Sequence, residues 1–284
     1  MRTRDLLRFV PGLSRLVRSL DSRERESRLL TEECLRLAGE NHRLKAAPGR
    51  RREFVTPTDD EPPLPPEVLR LLVAGTDDPV WFVEAGQRAA ASLAELLRTH
   101  DVPLDSDSRV LDFGCGCGRV IRHLRHLSAD LHGCDSNPVA VEWCDRHLPF
   151  ARFRVNALET PLDYDTGSFD LVYALSVFTH LPQRLQWFWM CELRRVLKPG
   201  GVLLLSLHGD ALRGRLTRSE RTDYRAGRLV VRGADLIGTN HCAAFHPPAY
   251  VRAVMAEGFE VMEQVPEGAS GNPPQDAWLL RKKG

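Results

Sequence analysis

Val110-Leu111-Asp112 closes an apolar run and leads into Phe113-Gly114-Cys115-Gly116-Cys117-Gly118, where every second residue is glycine. Glycine has no Cβ, so such a loop can turn sharply and let a ligand lie against the backbone where a helix begins. Side chains at Gly114 or Gly116 would block that approach. A second apolar run, Leu131-His132-Gly133-Cys134, ends in Asp135, seventeen residues past Gly118. A carboxylate at the end of the neighbouring strand can accept both hydroxyls of a ribose. Taken singly, the loop is a tight strand-to-helix turn and the acid a surface residue; in this register they describe a site for a nucleoside-containing ligand.

Elements that could hold these residues alternate along the chain. Strands are expected at Val110-Leu111, through Leu131, at Arg152 to Val155, Phe169 to Ala174 and Gly201 to Leu207. Between them come helices from about Arg119, from Asn137-Pro138, and over Pro182 to Val196. Strands alternating with helices imply a parallel sheet covered on both faces. Two helices precede the first strand: one opens at Pro66-Glu67 and ends at Gly75, and the other starts at Asp78 as N-cap with Pro79 in its first turn. A helix near Pro248 to Glu257 and strands at Phe259 to Val265 and Ala277 to Leu280 follow. Residues 208–247 form an insertion of mixed polarity, of the kind that covers a site as a lid.

The chain has 284 residues and a net charge of +1, but fourteen Lys or Arg against seven Asp or Glu fall in residues 1–52. The basic character is therefore local. Segment 1–47 carries a heptad pattern, with Leu30, Leu37 and Leu44 at one seam position and Asn41 at the other. It reads as a helix over about 13–45 that pairs two chains. A helix docked on its own domain and a basic amphipathic stretch on a membrane surface are the alternatives. Residues 48–66, with Pro57, Pro62, Pro63, Pro65 and Pro66, are the linker, and 67–284 the main domain. The odd count of seven cysteines fits reduced thiols. No apolar run reaches the ~18 residues of a membrane span, and no signal peptide is visible, so a cytoplasmic protein is expected. No metal is expected, because Cys115-x-Cys117 is too tight for a zinc pair. Nucleic acid is disfavoured by the mildly acidic main domain.

Over about residues 79–283 the chain resembles the class I S-adenosylmethionine-dependent methyltransferases. Val110 to Gly118 looks like that family's first motif and Gly133-Cys134-Asp135 its second. Phe169-Asp170-Leu171-Val172-Tyr173-Ala174-Leu175-Ser176 resembles the fourth-strand motif, and Leu193 to Gly201 the helix, turn and fifth strand after it. The resemblance implies a Rossmann-like sheet of seven mostly parallel strands, with S-adenosylmethionine as cofactor. Asp112, Gly114, Cys115 and Gly116 would then face its methionine part. Asp135 and Ser136 would meet the ribose, Asn156-Ala157-Leu158 would surround adenine, and Leu175 would border the site. An aspartate is commoner in the family where Asn156 stands, although the Asn amide oxygen can still accept from the adenine amine.

In that chemistry the donor is already activated, so the protein mainly positions the nucleophile and excludes water. A hydroxyl acceptor needs a base, and histidine suits neutral pH. His208 and His246 are the first candidates, with His180 and His241 behind them. The acceptor implied by resemblance is a small molecule or a glycan, methylated on oxygen in polysaccharide or secondary-metabolite modification. A nicotinamide dehydrogenase would need glycine where Arg119 stands. A dimeric cofactor-binding protein without turnover is the competitor from another class.

Overall fold

The computed structural model describes residues 61–235 and 242–284. Strands β1 (Arg109–Phe113), β2 (Asp130–Asp135), β3 (Ala151–Val155), β4 (Phe169–Ala174) and β5 (Leu197–Leu207) are followed by a separate hairpin, β6 (Val230–Arg232) and β7 (Ala243–Phe245), and by β8 (Phe259–Val265) and β9 (Asp276–Lys282). The main sheet has seven strands in the order β3-β2-β1-β4-β5-β9-β8. Strands β1 to β5 pair in parallel, and β9 runs antiparallel to both of its neighbours. The order reverses between β1 and β4, so a crevice opens beyond their carboxyl ends. Ligands collect at such a switch point.

Side chains alternate across the sheet, as strand geometry requires. Along β5, Leu203, Leu205 and Leu207 face one core, while Val202 and Leu204 face the other. The helices are α1 (Glu67–Ala74), α2 (Pro79–Thr99), α3 (Pro138–His147), α4 (Gln183–Val196) and α5 (Arg218–Arg225). Leu185, Trp189 and Leu193 of α4 pack on the first face, and Phe82 and Leu93 of α2 with Cys144 of α3 on the second. The expected caps are formed. Asp78 accepts from the Val80 and Trp81 amides at 2.9 and 3.2 Å, and Asn137 from those of Val139 and Ala140 at 3.0 and 3.2 Å. Each satisfies amides that would otherwise lack a partner in the first helical turn.

Two expectations change. No α-helix starts at Arg119; the loop runs into a single 3-10 turn, Ile121–Leu124. Helix α2 lies so close there that a Cβ on Gly86 would strike the Arg119 carbonyl. The Arg122 guanidinium is also drawn back to the carbonyls of Pro62 and Pro63. The helix expected over Pro248 to Glu257 is helical only for Pro248–Tyr250, then widens into a π-turn, Val251–Met255. Within the expected insertion 208–247, the described residues 208–235 and 242–247 form regular elements. A 3-10 turn (Asp210–Arg215), α5 and the hairpin enclose an apolar cluster of Leu212, Leu216, Tyr224, Val230 and Phe245.

The heptad segment 1–47, most of the 48–66 linker and His241 lie outside the described residues. The six described cysteines form no disulfide. Among the described residues no helix is long and apolar enough to cross a membrane, and no group of three metal-ligating side chains comes together.

Candidate active site

The glycine loop is held from β2. The Gly114 and Cys115 amides both donate to the Cys134 carbonyl, at 2.8 and 3.0 Å. Gly114, Gly116 and Gly118 take φ of 81, 53 and 77°, a region L-residues rarely enter. Asp135 is fixed by two amides: Gly116 donates to its Oδ2 and Asn137 to its Oδ1, each at 2.8 Å. Burial raises its pKa from the ordinary carboxylate value, and those amides pull it back. Gly116 is demanded by a neighbour that sequence reasoning did not foresee. A Cβ there would run into Val73 of α1, which lies over the loop.

Beyond the β1 and β4 ends lies a cleft of about 650 Å³. Asp112, Gly114, Cys115, Gly116, Asp135, Ser136, Asn156, Leu158 and Leu175 all line it, whereas Ala157 does not. Asp112 is buried, and burial pushes its carboxyl up to about 7 against the pull of the Tyr173 hydroxyl and the Arg119 guanidinium. The Oδ1 of Asn156 is buried with no hydrogen-bond partner among the described residues. An unpaired buried acceptor is costly, and a ligand amine would satisfy it.

The cleft also holds residues that the sequence did not single out for it. Ser176 has a φ of 60°, an uncommon conformation for a non-glycine residue. Its amide donates to Ser206 Oγ at 2.7 Å, and both hydroxyls donate to Gln275 Oε1, at 3.0 and 2.6 Å. Arg119, read from sequence only as an obstacle to a pyrophosphate, binds the Gly271 carbonyl and Asn272 Oδ1 at 3.1 and 2.6 Å. These contacts tie the β8-β9 connection to the loop. They join residues from 30 to 153 positions apart, so no local signal marks them.

Two histidines meet on the other wall. His180 Nδ1 contacts the Cys242 carbonyl at 2.8 Å, and His208 Nδ1 the Ala244 carbonyl at 3.0 Å; the ring centroids are 6.4 Å apart. A carbonyl can only accept, so each Nδ1 carries the proton and each Nε2 keeps its lone pair. Burial lowers the pKa of both, that of His208 to about 4, where the nearby His180 adds to the effect. Both rings line the cleft. His246 does not. Along β7 and its continuation, Ala243 and Phe245 face the cleft, so Ala244 and His246 point the other way. His246 is 1% exposed, neither ring nitrogen has a partner among the described residues, and burial takes its pKa to about 3.

The methyltransferase-domain family matches residues 111–205, which run from β1 through β5. The ubiquinone biosynthesis O-methyltransferase of Xanthomonas oryzae pv. oryzae is 31% identical over 168 residues, 56% of this chain and 64% of that protein. The sterol 24-C-methyltransferase of Candida albicans is 31% identical over 121 residues, 40% of this chain and 32% of that protein. The chain thus spans less than two thirds of the length of either relative. A crystal structure of a Pyrococcus horikoshii protein, at 18% identity, superposes with a TM-score of 0.51 over 68% of this chain and 89% of that one, a likeness of fold.

Residues 111–205 are thus similar to a methyltransferase domain.

S-adenosylmethionine is the cofactor that this similarity implies, and the cleft fits it. The glycine loop, the oriented carboxylate of Asp135 and Asn156, whose Oδ1 has no partner among the described residues, all line one crevice. Replacing Asp135 with Ala is expected to weaken binding of the product S-adenosylhomocysteine by about 1.5–3 kcal/mol, the scale of a lost hydrogen bond to a charged group. Calorimetry checks this, and unchanged affinity would remove Asp135 from the site.

Proposed function

We propose that this methyltransferase transfers the S-adenosylmethionine methyl group to a hydroxyl of a small molecule or glycan, in polysaccharide or secondary-metabolite modification. The observation that carries the oxygen assignment is the pair His180 and His208, with each Nδ1 committed to a backbone carbonyl and each Nε2 left as an acceptor in the cleft. When bound, the cofactor supplies a methyl group already activated on a sulfonium. The chain's own residues do the rest. Asp135 and the glycine loop hold the donor in place, the Leu212 and Phe245 wall limits water, and Nε2 of His208 takes the hydroxyl proton as the oxygen is methylated. The Xanthomonas relative's name as an O-methyltransferase supports the reading; the Candida relative's name as a C-methyltransferase keeps the test open to carbon.

The test supplies isotopically labelled S-adenosylmethionine with a panel of phenols, sugars, amines and activated carbon acceptors. The expected result is label on oxygen, matched one for one by S-adenosylhomocysteine. Label only on nitrogen or carbon, or cofactor binding without turnover on any acceptor, would count against it.

A further inference from the structure

Charge is unevenly spread along the cleft. Among the described residues that line it, the acids are Asp112 and Asp135, both at the glycine-loop end, while the guanidiniums are those of Arg119, Arg215 and Arg232. Arg119 is occupied by Gly271 and Asn272. Arg232 is neutralised by Glu220, which it meets through Nε at 2.7 Å and Nη2 at 2.5 Å, and it lies over the Phe245 ring. Arg215 differs. Its backbone carbonyl accepts from Arg232 Nη2 at 2.9 Å, which anchors the residue beside the hairpin. Its guanidinium has no hydrogen bond or ion pair among the described residues. The charge stands on the histidine side of the cleft, near enough to be felt by the His208 ring.

We propose that the methyl acceptor carries an anionic group, a carboxylate or a phosphate, that seats on Arg215 and so presents its hydroxyl to His208. This rests on the methyl-transfer reading of the cleft. A planar guanidinium matches either anion with two parallel N–H donors, which fixes orientation as well as position. Arg232 cannot take that role while Glu220 holds it, and an anion at the loop end would meet two carboxylates. Because Arg215 is exposed, the attraction is moderate and weakens with salt.

The experiment uses the full chain saturated with S-adenosylhomocysteine and titrates matched probes that differ in the anion: 3,4-dihydroxybenzoate against 3,4-dihydroxybenzamide, and glucose 6-phosphate against glucose. In at least one pair the anionic member is expected to bind about tenfold tighter at low salt, the scale of one charge-assisted contact. The pair that discriminates tells carboxylate from phosphate. Arg215→Ala should abolish the preference, and Arg215→Lys should keep part of it. Equal affinity within both pairs, including no binding by any member, or a preference that survives in Arg215→Ala, overturns the proposal. The product cofactor is titrated in the same preparation. If it fails to bind, the methyl-transfer reading falls; if it binds normally and no anion preference appears, only the present inference falls.

Discussion

Replacing His208 with Ala is expected to lower methyl transfer by about two to four powers of ten, the usual contribution of a positioned general base, while affinity for S-adenosylhomocysteine stays put. The ring faces the cleft but lies outside the glycine loop and Asp135, so binding and turnover should separate. His180→Ala tests whether the second ring can substitute; if it cannot, the single His208 variant already shows the full loss. His246→Ala should leave the rate much closer to normal, because that ring points away from the cleft. Burial holds His208 near 4, below the ordinary 6.5, so the wild-type rate should show no histidine limb above about pH 5. Stability behaves differently. The unfolded chain protonates His208 and His246 below 6.5 and the folded chain only near 4 and 3, so their contribution is complete above 6.5 and is lost as pH falls through that window. A thermal melt at each pH separates this acid weakening from the chemistry. Normal turnover by the double variant His180→Ala/His208→Ala would mean that the enzyme works by positioning alone.

Gly116→Val is expected to abolish detectable cofactor binding and also to weaken the fold. The branched side chain would occupy the place of Val73 at a backbone φ of 53°, so α1 must lift or the loop must change course. Strain of this kind costs roughly 1–3 kcal/mol before any clash is counted. Calorimetry with S-adenosylhomocysteine and denaturant unfolding give the two readouts. Wild-type affinity in this variant would show that the loop does not need the conformation seen here.

Much of this architecture was legible because its signals are local. Asp78-Pro79 and Asn137-Pro138 each place a capping side chain beside a residue that cannot donate, and both helices begin there. Near-continuous apolar runs placed β4 and β5, and spaced glycines located the loop. What escaped depends on long-range contact. His180 and His208 become a pair only because the carbonyls of Cys242 and Ala244 orient both rings. His246 looked equivalent to His208 until strand alternation turned it away from the cleft. Arg119 and Arg215 are surface-type residues in the sequence, and only the cleft distinguishes the one held by Asn272 from the one whose guanidinium has no hydrogen bond or ion pair among the described residues. The 3-10 turn after the loop reflects crowding by α2, which the sequence around Arg119 does not encode.

Each glycine of the loop receives an apolar branch from a different part of the chain: Val177 faces Gly114, Val73 faces Gly116 and Leu148 faces Gly118. The recognition surface and the hydrophobic interior are therefore two sides of the same few backbone atoms. Affinity and stability cannot then be tuned independently in this region. A change at Leu148, which does not border the cleft, would still be transmitted to the ligand through Gly118. Paired substitutions around the loop should accordingly depart from additivity, as neighbours in contact do. Variants selected only for heat resistance would carry altered cofactor affinity as an unselected by-product.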